Sequence, residues 1–401
     1  MLKQICRKKT SSVHSTMMDG IDGSKVHIAM RIKDLEEIWT IHQGFNLFLE
    51  YQFLSTMEEV LPAQIQPLYV AILRGDGSVD LVYFQIKDFD LFDSLHPTVE
   101  GQRIKPIKRN PILSEASKLV RFKALVFGNL LLTGPYGSNN LTGKDITSDK
   151  LASVSKLVLA WCKERGIVCK ATLLKDFEEA VVKDIASFHR FQVQPNMVLE
   201  VPKKWNNFQD YLDDMKAKYR IRARRALTKA SSITYRSLSV KEIIFHQEEM
   251  VQLYYQVVCN VNFNLFYLPA DHFLKLKEGL GDRFQVIGCF EGDRLVGFYS
   301  LFLNYGEVYA YFLGYDAEVN HSSQLYLNML YQMIDFAISK GASSVIFSRT
   351  AMEIKSSVGA EPLEMDLFVQ LSNPFAHKLF PAAFQRFNPS PSWQARSPFR
   401  D

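Results

Sequence analysis

Phe284-Gln-Val-Ile-Gly-Cys-Phe-Glu-Gly-Asp-Arg-Leu-Val-Gly-Phe-Tyr-Ser-Leu-Phe-Leu303 reads as a β-hairpin. Two apolar runs, rich in aromatic and β-branched residues, fold about a Gly/Asp turn. A second stretch of the same kind, Leu68-Tyr-Val-Ala-Ile-Leu-Arg-Gly-Asp-Gly-Ser-Val-Asp-Leu-Val-Tyr-Phe-Gln-Ile86, lies in the first half of the chain. Similar tags precede both: Gly44-Phe-Asn-Leu-Phe48 and Asn262-Phe-Asn-Leu-Phe266.

The parallel continues downstream. Lys123–Leu132 and Glu307–Gly314 read as strands. A helix follows each, over about 148–165 (Leu151, Val154, Leu157, Val158, Trp161 and Cys162 on one face) and about 323–339 (Tyr326, Leu330, Met333, Ile334, Ala337). Each helix runs into a glycine, Gly166 or Gly341, as a left-handed C-cap requires. Strands Ile167–Leu174 and Ser344–Ser348 come next, and Asn196–Val201 and Glu364–Leu371 each close a half. The first half carries extra polar, proline-bearing residues around 87–122 (Pro97, Pro106, Pro111), read as a loop with a helix. The repeat rests on element order, not on sequence identity.

The expected class is therefore α/β (α+β): two tandem domains, each a mixed, mostly antiparallel sheet flanked by helices. The expected boundaries are 26–204 and 236–385, joined by a basic linking helix within 205–235. Residues 1–25 and 386–401 are expected to be mobile tails.

Composition sets the frame for function. A chain of 401 residues exceeds one ordinary core, and 47% hydrophobic with 22% charged residues fits a soluble globular protein. The net charge of +4 is modest, so any basic site must be local. The five cysteines form no CxxC pair, which favours free thiols in a reducing, cytoplasmic setting. No apolar run approaches the roughly 18–20 residues of a membrane span. The basic N-terminus lacks the following apolar segment of a secretory signal. No metal-ligand spacing such as HExxH occurs, so no metal is expected.

Between the halves, Tyr211 to Ala230 reads as one helix. Leu212, Met215, Tyr219, Ala223, Ala226 and Ala230 lie on one face, and Lys218, Arg222, Arg225 and Lys229 on the other. No acidic residue occurs from Met215 to Val240, which suits a face turned toward an anion. The other reading is an ordinary amphipathic helix with a solvated face. The charged face has no interleaved aromatics to stack bases.

The run Phe347-Ser-Arg-Thr-Ala-Met-Glu-Ile-Lys355-Ser-Ser-Val-Gly359 gathers charge just past a strand end, where α/β folds place ligands. The matching strand of the first half leads instead into Lys175-Asp-Phe-Glu-Glu-Ala180.

Four passages carry a resemblance to a known group. They are Phe127-Gly-Asn-Leu-Leu-Leu-Thr-Gly-Pro-Tyr-Gly137; Gln194-Pro-Asn-Met-Val-Leu199 with Trp205 and Tyr211–Arg225; Phe347–Lys355; and Lys355-Ser-Ser-Val-Gly359. The element order resembles the GNAT acyltransferase fold. Two such units joined by a basic helix resemble the Fem-type peptidoglycan aminoacyltransferases and the twin-GNAT group around them. The likeness covers roughly residues 30–375. It implies an N-acyltransferase passing an acetyl, other acyl or aminoacyl group to an amine of a cell-envelope precursor or similar small anionic acceptor. Acetyl-CoA or another acyl-CoA is one implied donor, and aminoacyl-tRNA is the other. In coenzyme A enzymes of this fold a glycine-rich loop opens the central helix and holds the pyrophosphate. Here Asn320-His-Ser-Ser-Gln-Leu-Tyr326 stands there without glycine, leaving Ser322, Ser323 and Gln324 as the cofactor-binding candidates. The long coiled-coil arm with which Fem-type enzymes grip tRNA is absent from this sequence.

Acyl transfer to an amine needs a proton acceptor, a stabilised oxyanion and an aligned donor. Lys355 is the candidate for the oxyanion, and the resemblance points to the same lysine; a solvated surface lysine is the ordinary alternative. Arg349 suits a phosphate or carboxylate. Glu353, four residues on, either joins it in substrate binding or simply pairs with it. Arg222 and Arg225 complete the substrate-binding set. Asp316 and Glu307 flank the strand lining the acyl site, with Asp316 preferred as base. Tyr311, among Tyr309, Tyr311 and Tyr315, is the candidate acid, against packing as the default for a strand tyrosine. A non-catalytic binding protein that kept the fold is the rival of another class.

Overall fold

The computed structural model describes residues 16–20, 23–90, 98–99, 102–103, 121–139, 148–178, 182, 184–259, 264–387 and 393–399. Most of the expected insert at 87–122 lies outside these residues.

The first half runs β1 (Thr16–Asp19), β2 (Lys25–Ala29), α1 (Glu36–His42), α2 (Tyr51–Val60), β3 (Ile65–Leu73), β4 (Val79–Asp90), a small ribbon of β5 (Thr98–Val99) and β6 (Gln102–Arg103), β7 (Arg121–Phe127), α3 (Ser148–Glu164), β8 (Cys169–Phe177) and β9 (His189–Glu200). Two helices follow, α4 (Phe208–Asp214) and α5 (Ala217–Lys229). The second half repeats the order. It runs β10 (Ile233–Ser237), α6 (Val240–Phe245), α7 (Gln247–Val258), α8 (His272–Leu280), β11 (Phe284–Glu291), β12 (Arg294–Asn304), β13 (Glu307–Tyr315), α9 (Ala317–Ser323), α10 (Leu325–Ser339), β14 (Ser344–Ser348), α11 (Met352–Ser357) and β15 (Glu361–Leu371), with α12 (Pro374–Phe387) after it. The protein is thus a mixed α/β structure of two GNAT-like units, with both hairpins where the sequence places them.

The helix ends carry the duplication most clearly. After α3, the Gly166 N–H reaches the Lys163 carbonyl and the Ile167 N–H reaches Cys162, at 3.0 and 2.9 Å. After α10, Gly341 and Ala342 make the same pair of bonds to Ile338 and Ala337, both at 2.9 Å. Both glycines have positive φ, 74° and 62°. Each half therefore uses the same left-handed cap to turn into its parallel strand.

All the long strands form one sheet of 13, in the order β1-β2-β3-β4-β7-β8-β15-β9-β14-β13-β12-β11-β10. Among the described strands only β7–β8 and β13–β14 are parallel. The sequence reading has β9 and β15 each close its own half; instead they are exchanged. β15 pairs with β8, and β9 pairs with β14, while the two pair with each other. Apolar matching is the reason. Phe368 of β15 packs edge-on to Phe177 inside the first half's cluster with Val158 and Trp161. Met197 and Leu199 of β9 join the second half's cluster with Tyr211, Leu330 and Ile334. Each last strand completes the core of the other half, and an approximate two-fold relation runs between β15 and β9.

Helices cover both faces, so central strands read as nearly continuous apolar runs rather than alternating ones. One face holds a core shared by both halves, with Trp39, Phe48, Phe53 and Tyr83 beside Phe284, Phe298, Phe302 and Tyr309. There α2 meets α8, and the Gln52 amide donates to the Gly279 carbonyl at 2.7 Å.

The linking segment differs from the single helix expected. It breaks at Met215, whose extended backbone (φ −70°, ψ 146°) ends α4. The Lys216 N–H donates to the Pro398 carbonyl at 2.8 Å instead of to a helical carbonyl. The sequence reading makes residues from 386 on a tail; Trp393–Phe399 lie against this break. The Phe399 ring sits 5.3 Å from Trp205 and 5.7 Å from Tyr211. It also covers Gly359, whose φ is 103° and where an added Cβ would lie 2.2 Å from Phe399 Cε2. Gly359→Ala is expected to cost about 1–3 kcal/mol, combining left-handed strain with displacement of the ring. Urea unfolding would measure it, and an unchanged midpoint would mean that the aromatic cover is not part of the stable fold.

Candidate functional site

The parallel pairs end at the middle of the sheet, and three segments converge there. They are the end of β8 (Lys175-Asp176), the end of β14 (Ser348-Arg349) and the loop Gly128–Gly137 after β7. Register irregularities mark both strand ends, opposite Asp366–Phe368 and next to Ser348. The backbone past β14 is unusual: Ser348, Thr350 and Ala351 have φ of 62°, 68° and 47°. Three non-glycine residues in the left-handed region within four positions need surrounding contacts to hold them.

Those contacts come from buried charges. Arg349 forms an ion pair with Asp176 of the other half. Its Nε donates to the Gln194 carbonyl of β9 at 3.0 Å. Asp176 is 1% exposed and adopts φ 64°. It also accepts from the Gly134 N–H at 2.9 Å and pairs with Lys175 Nζ at 2.6 Å. Lys175 Nζ donates in turn to the Leu132 carbonyl at 2.9 Å. Burial and the nearby Arg349 push the Lys175 pKa well below that of a free lysine. Burial alone lowers Arg349 to about 10.

Lys355 stands in α11, one turn past the strained segment, and is only 4% exposed. Its Nζ donates to the Ser348 carbonyl at 3.2 Å and the Arg349 carbonyl at 2.5 Å. No carboxylate pairs with it among the described residues. An ammonium has three donors, and these two bonds leave one. Burial without a counter-ion lowers its pKa from 10.5 to about 7. The buried Lys355 and the half-buried Arg349 therefore share one net cationic site, with Asp176 as its single carboxylate among these contacts.

The other candidates fall elsewhere. Glu353 is exposed and does not pair with Arg349. It accepts from the Gln394 N–H at 3.1 Å and lies 3.8 Å from the Arg396 guanidinium. Asp316 caps α9, accepting from the Glu318 and Val319 N–H groups at 2.9 and 3.1 Å, and pairs with Arg294. Tyr311 lies at the bulge of β13, where its hydroxyl meets His272 Nε2 at 3.0 Å. His272 Nδ1 is 3.1 Å from the Val60 carbonyl, so Nδ1 carries the proton and Nε2 accepts from Tyr311. Burial holds the His272 pKa down at about 4 and raises that of Tyr311 well above 10, which keeps the pair neutral. The Tyr311 proton is thus committed to His272. Arg222 and Arg225 are exposed on α5.

The cradle for a coenzyme A pyrophosphate can be tested at α10. Ser322 and Ser323 donate back to carbonyls of α9, with Ser323 Oγ to Val319 at 2.7 Å. Gln324 is a single left-handed residue (φ 54°) between two helices and makes no side-chain cap. The Tyr326 N–H is taken by Asn320 Oδ1 at 2.8 Å. The carbonyl end of α9 abuts the start of α10, where a phosphate needs free N–H groups. The residues present do not fit a pyrophosphate there.

A separate cavity of about 230 Å³ lies in the first half, between β2–β4 and α3. It is mostly apolar, with Val26, Ile72, Val82, Phe84 and Leu151 among its lining, and contains none of the candidates. Among the described residues, no cluster of three or more His, Cys, Asp or Glu is arranged to hold a metal ion. No described helix is long and apolar enough to cross a membrane.

Lys175 and Asp176 escaped the sequence reading, which took their strand end as the half without the lysine-to-glycine turn. Their signal was position: a Lys-Asp pair directly after an apolar strand, matching Ser348-Arg349 of the other half.

A family model for peptidoglycan biosynthesis and recognition, FemAB-like, matches residues 135–362, more than half of the chain. The chain belongs to the FemAB-like family. The match takes in β8, β9, the linking helices and the whole strained turn with Lys355. No curated protein matches the sequence. Among solved structures, FemX is similar at 10% identity, covering 88% of this chain and 98% of that one, with a TM-score of 0.48. A tandem GNAT protein from the clavulanic acid biosynthesis pathway gives 10% identity, 87% and 99% coverage, and a TM-score of 0.48. L-PGS from Bacillus licheniformis gives 12%, 88%, 95% and 0.45. These are distant likenesses, and no functional argument rests on them. FemAB-like membership places the chain, at a general level, among acyl- and aminoacyl-transferring proteins.

Proposed function

We propose that this FemAB-like protein transfers an aminoacyl group from an activated ester donor, such as aminoacyl-tRNA, to the amine of a peptidoglycan-precursor-type acceptor. The observation that carries the reading is Lys355: a buried ammonium without a counter-ion, fixed to the Ser348 and Arg349 carbonyls with one donor left over. Aimed at a carbonyl oxygen that gains charge as an amine attacks, such a donor stabilises the transition state more than the ground state. Arg349, held by Asp176, supports the same role by keeping the region cationic. An ester donor is preferred to coenzyme A because Asn320 and the two serines leave no pyrophosphate cradle at α10.

The mechanism follows from those groups. The acceptor amine adds to the donor carbonyl, and negative charge collects on the carbonyl oxygen near Lys355 Nζ. Collapse of the adduct expels the donor's hydroxyl as the amide forms, and the amine's proton leaves for water or the departing oxygen. Among the candidates, Tyr311 does not supply a proton to the departing oxygen, because its own is held by His272.

Incubating the full chain with charged tRNA or acetyl-CoA and an amine-bearing precursor peptide tests this. The expected result is an amide product from the ester donor, lost in Lys355→Met. Product from acetyl-CoA alone would replace the ester reading by an acetyltransferase one. No product from either donor would favour a binding protein.

A further inference from the structure

Helix α5 carries a feature that the acyl-transfer site does not use. Its inner face, Ala223 and Ala226 with half-buried Tyr219 and Leu227, packs on the second half's core. Asn328 of α10 ties it down through a 3.0 Å bond to the Ala226 carbonyl. The outer face is exposed along Lys218, Ile221, Arg222, Arg225 and Lys229, which share one stripe at helical spacing, with Arg224 beside them. Arg220 pairs with Asp213. Among the described residues no carboxylate pairs with the other five cations, and Glu318 on the neighbouring α9 is not bonded to any of them. The stripe is not purely ionic, since Ile221 sits inside it at 50% exposure.

From this we infer that the outer face of α5 docks on an anionic phospholipid surface. Charge complementarity names an anion. The apolar side chain among the cations fits a headgroup layer, into which it can dip while arginine and lysine stems reach the phosphates. A nucleic acid is the less favoured occupant: the helix's aromatic, Tyr219, faces the core, leaving nothing on the stripe to stack a base. The inference stands apart from the acyl-transfer reading, because none of these residues touches Lys355, Arg349 or Asp176.

Co-sedimentation of the full-length protein with phosphatidylcholine vesicles, with and without phosphatidylglycerol, tests it. Binding is expected only with phosphatidylglycerol and weakens as salt rises. The double variant Arg222→Glu/Arg225→Glu is expected to lose roughly tenfold or more in partitioning, as two cations are reversed near a charged surface. Ile221→Ser, which leaves the charge unchanged, is expected to weaken binding several-fold by removing the apolar contact. Both changes are at exposed positions, and unchanged thermal unfolding would show that the fold persists. Three outcomes overturn the proposal. They are no binding to phosphatidylglycerol vesicles at low salt, binding indifferent to the Arg222/Arg225 reversal, and an Ile221→Ser variant that binds as well as wild type. Salt-sensitive retention of a transfer RNA with no vesicle binding would assign the face to nucleic acid.

Discussion

Lys355→Met lowers the rate of transfer by about 10²–10³-fold, the usual loss when one preorganised oxyanion donor is removed. Methionine matches the length and apolar stem of lysine, so α11 keeps its packing. The variant also reports on the charge state. Lys355 in the fold has a pKa of about 7, against 10.5 for a free lysine. The lysine must be charged to stabilise an oxyanion, so its contribution to the rate falls as pH rises through about 7. Stability moves the other way. Between about 7 and 10.5 the unfolded chain holds the proton and the folded chain does not, so stability rises with pH across that window. Below about 7 the penalty of burying the charge is fully present. Lys355→Met removes this slope, which unfolding curves at two pH values would detect. Against this, methionine leaves the Ser348 and Arg349 carbonyls without their donor, so the net stability change at neutral pH is expected to stay within about 2 kcal/mol.

Asp176→Ala is expected to destabilise the protein by about 2–4 kcal/mol, because it leaves the buried Lys175 and the half-buried Arg349 without their carboxylate. The Gly134 N–H loses its acceptor at the same time. Alanine also tolerates the left-handed conformation at this position less well than aspartate or asparagine. Asp176→Asn separates the two causes. It keeps the conformation and an acceptor for Gly134, and removes only the charge. Chemical denaturation of both variants reads the effect. If alanine and asparagine cost the same, the charge is the cause; if asparagine is neutral, the ion pairs add little and backbone geometry dominates. Because Asp176 belongs to β8 and Arg349 directly follows β14, losing this link is expected to loosen the two halves together.

Much of the fold is legible in the sequence because it is local. The hairpins at 68–86 and 284–303 announce themselves through alternating and β-branched residues about Gly/Asp turns. The caps at Gly166 and Gly341 follow from helical periodicity meeting a glycine. What the sequence conceals is pairing at a distance. Nothing in Asn196–Glu200 or Glu361–Leu371 says that each strand will lie beside the other half, since a strand's apolar residues fit any apolar partner. The break at Met215 was hidden in the same way. Its helical spacing is sound, but at the break Met215 bridges Phe399 and the Lys216 N–H bonds to Pro398, both distant in sequence.

The candidate site was half legible. Lys355 and Arg349 stand out as charges after a strand end. Asp176 was invisible because its partner is 173 positions away, and the exchanged strands bring the two together. The roles offered for Asp316, Ser322 and Ser323 met a physical competitor: short polar side chains next to helix ends bond to their own backbone first.

The pH dependence of single-turnover transfer to an amine acceptor, in wild type and Lys355→Met, tests the central claim most directly. The ratio of the wild-type rate to the Lys355→Met rate is predicted to fall as pH rises through about 7, because the lysine loses its charge there while the titration of the amine cancels from the ratio. A methionine variant as fast as wild type would contradict the account. So would a Lys355-dependent limb that rises through pH 7, because it would make the lysine a base rather than the group that holds the oxyanion.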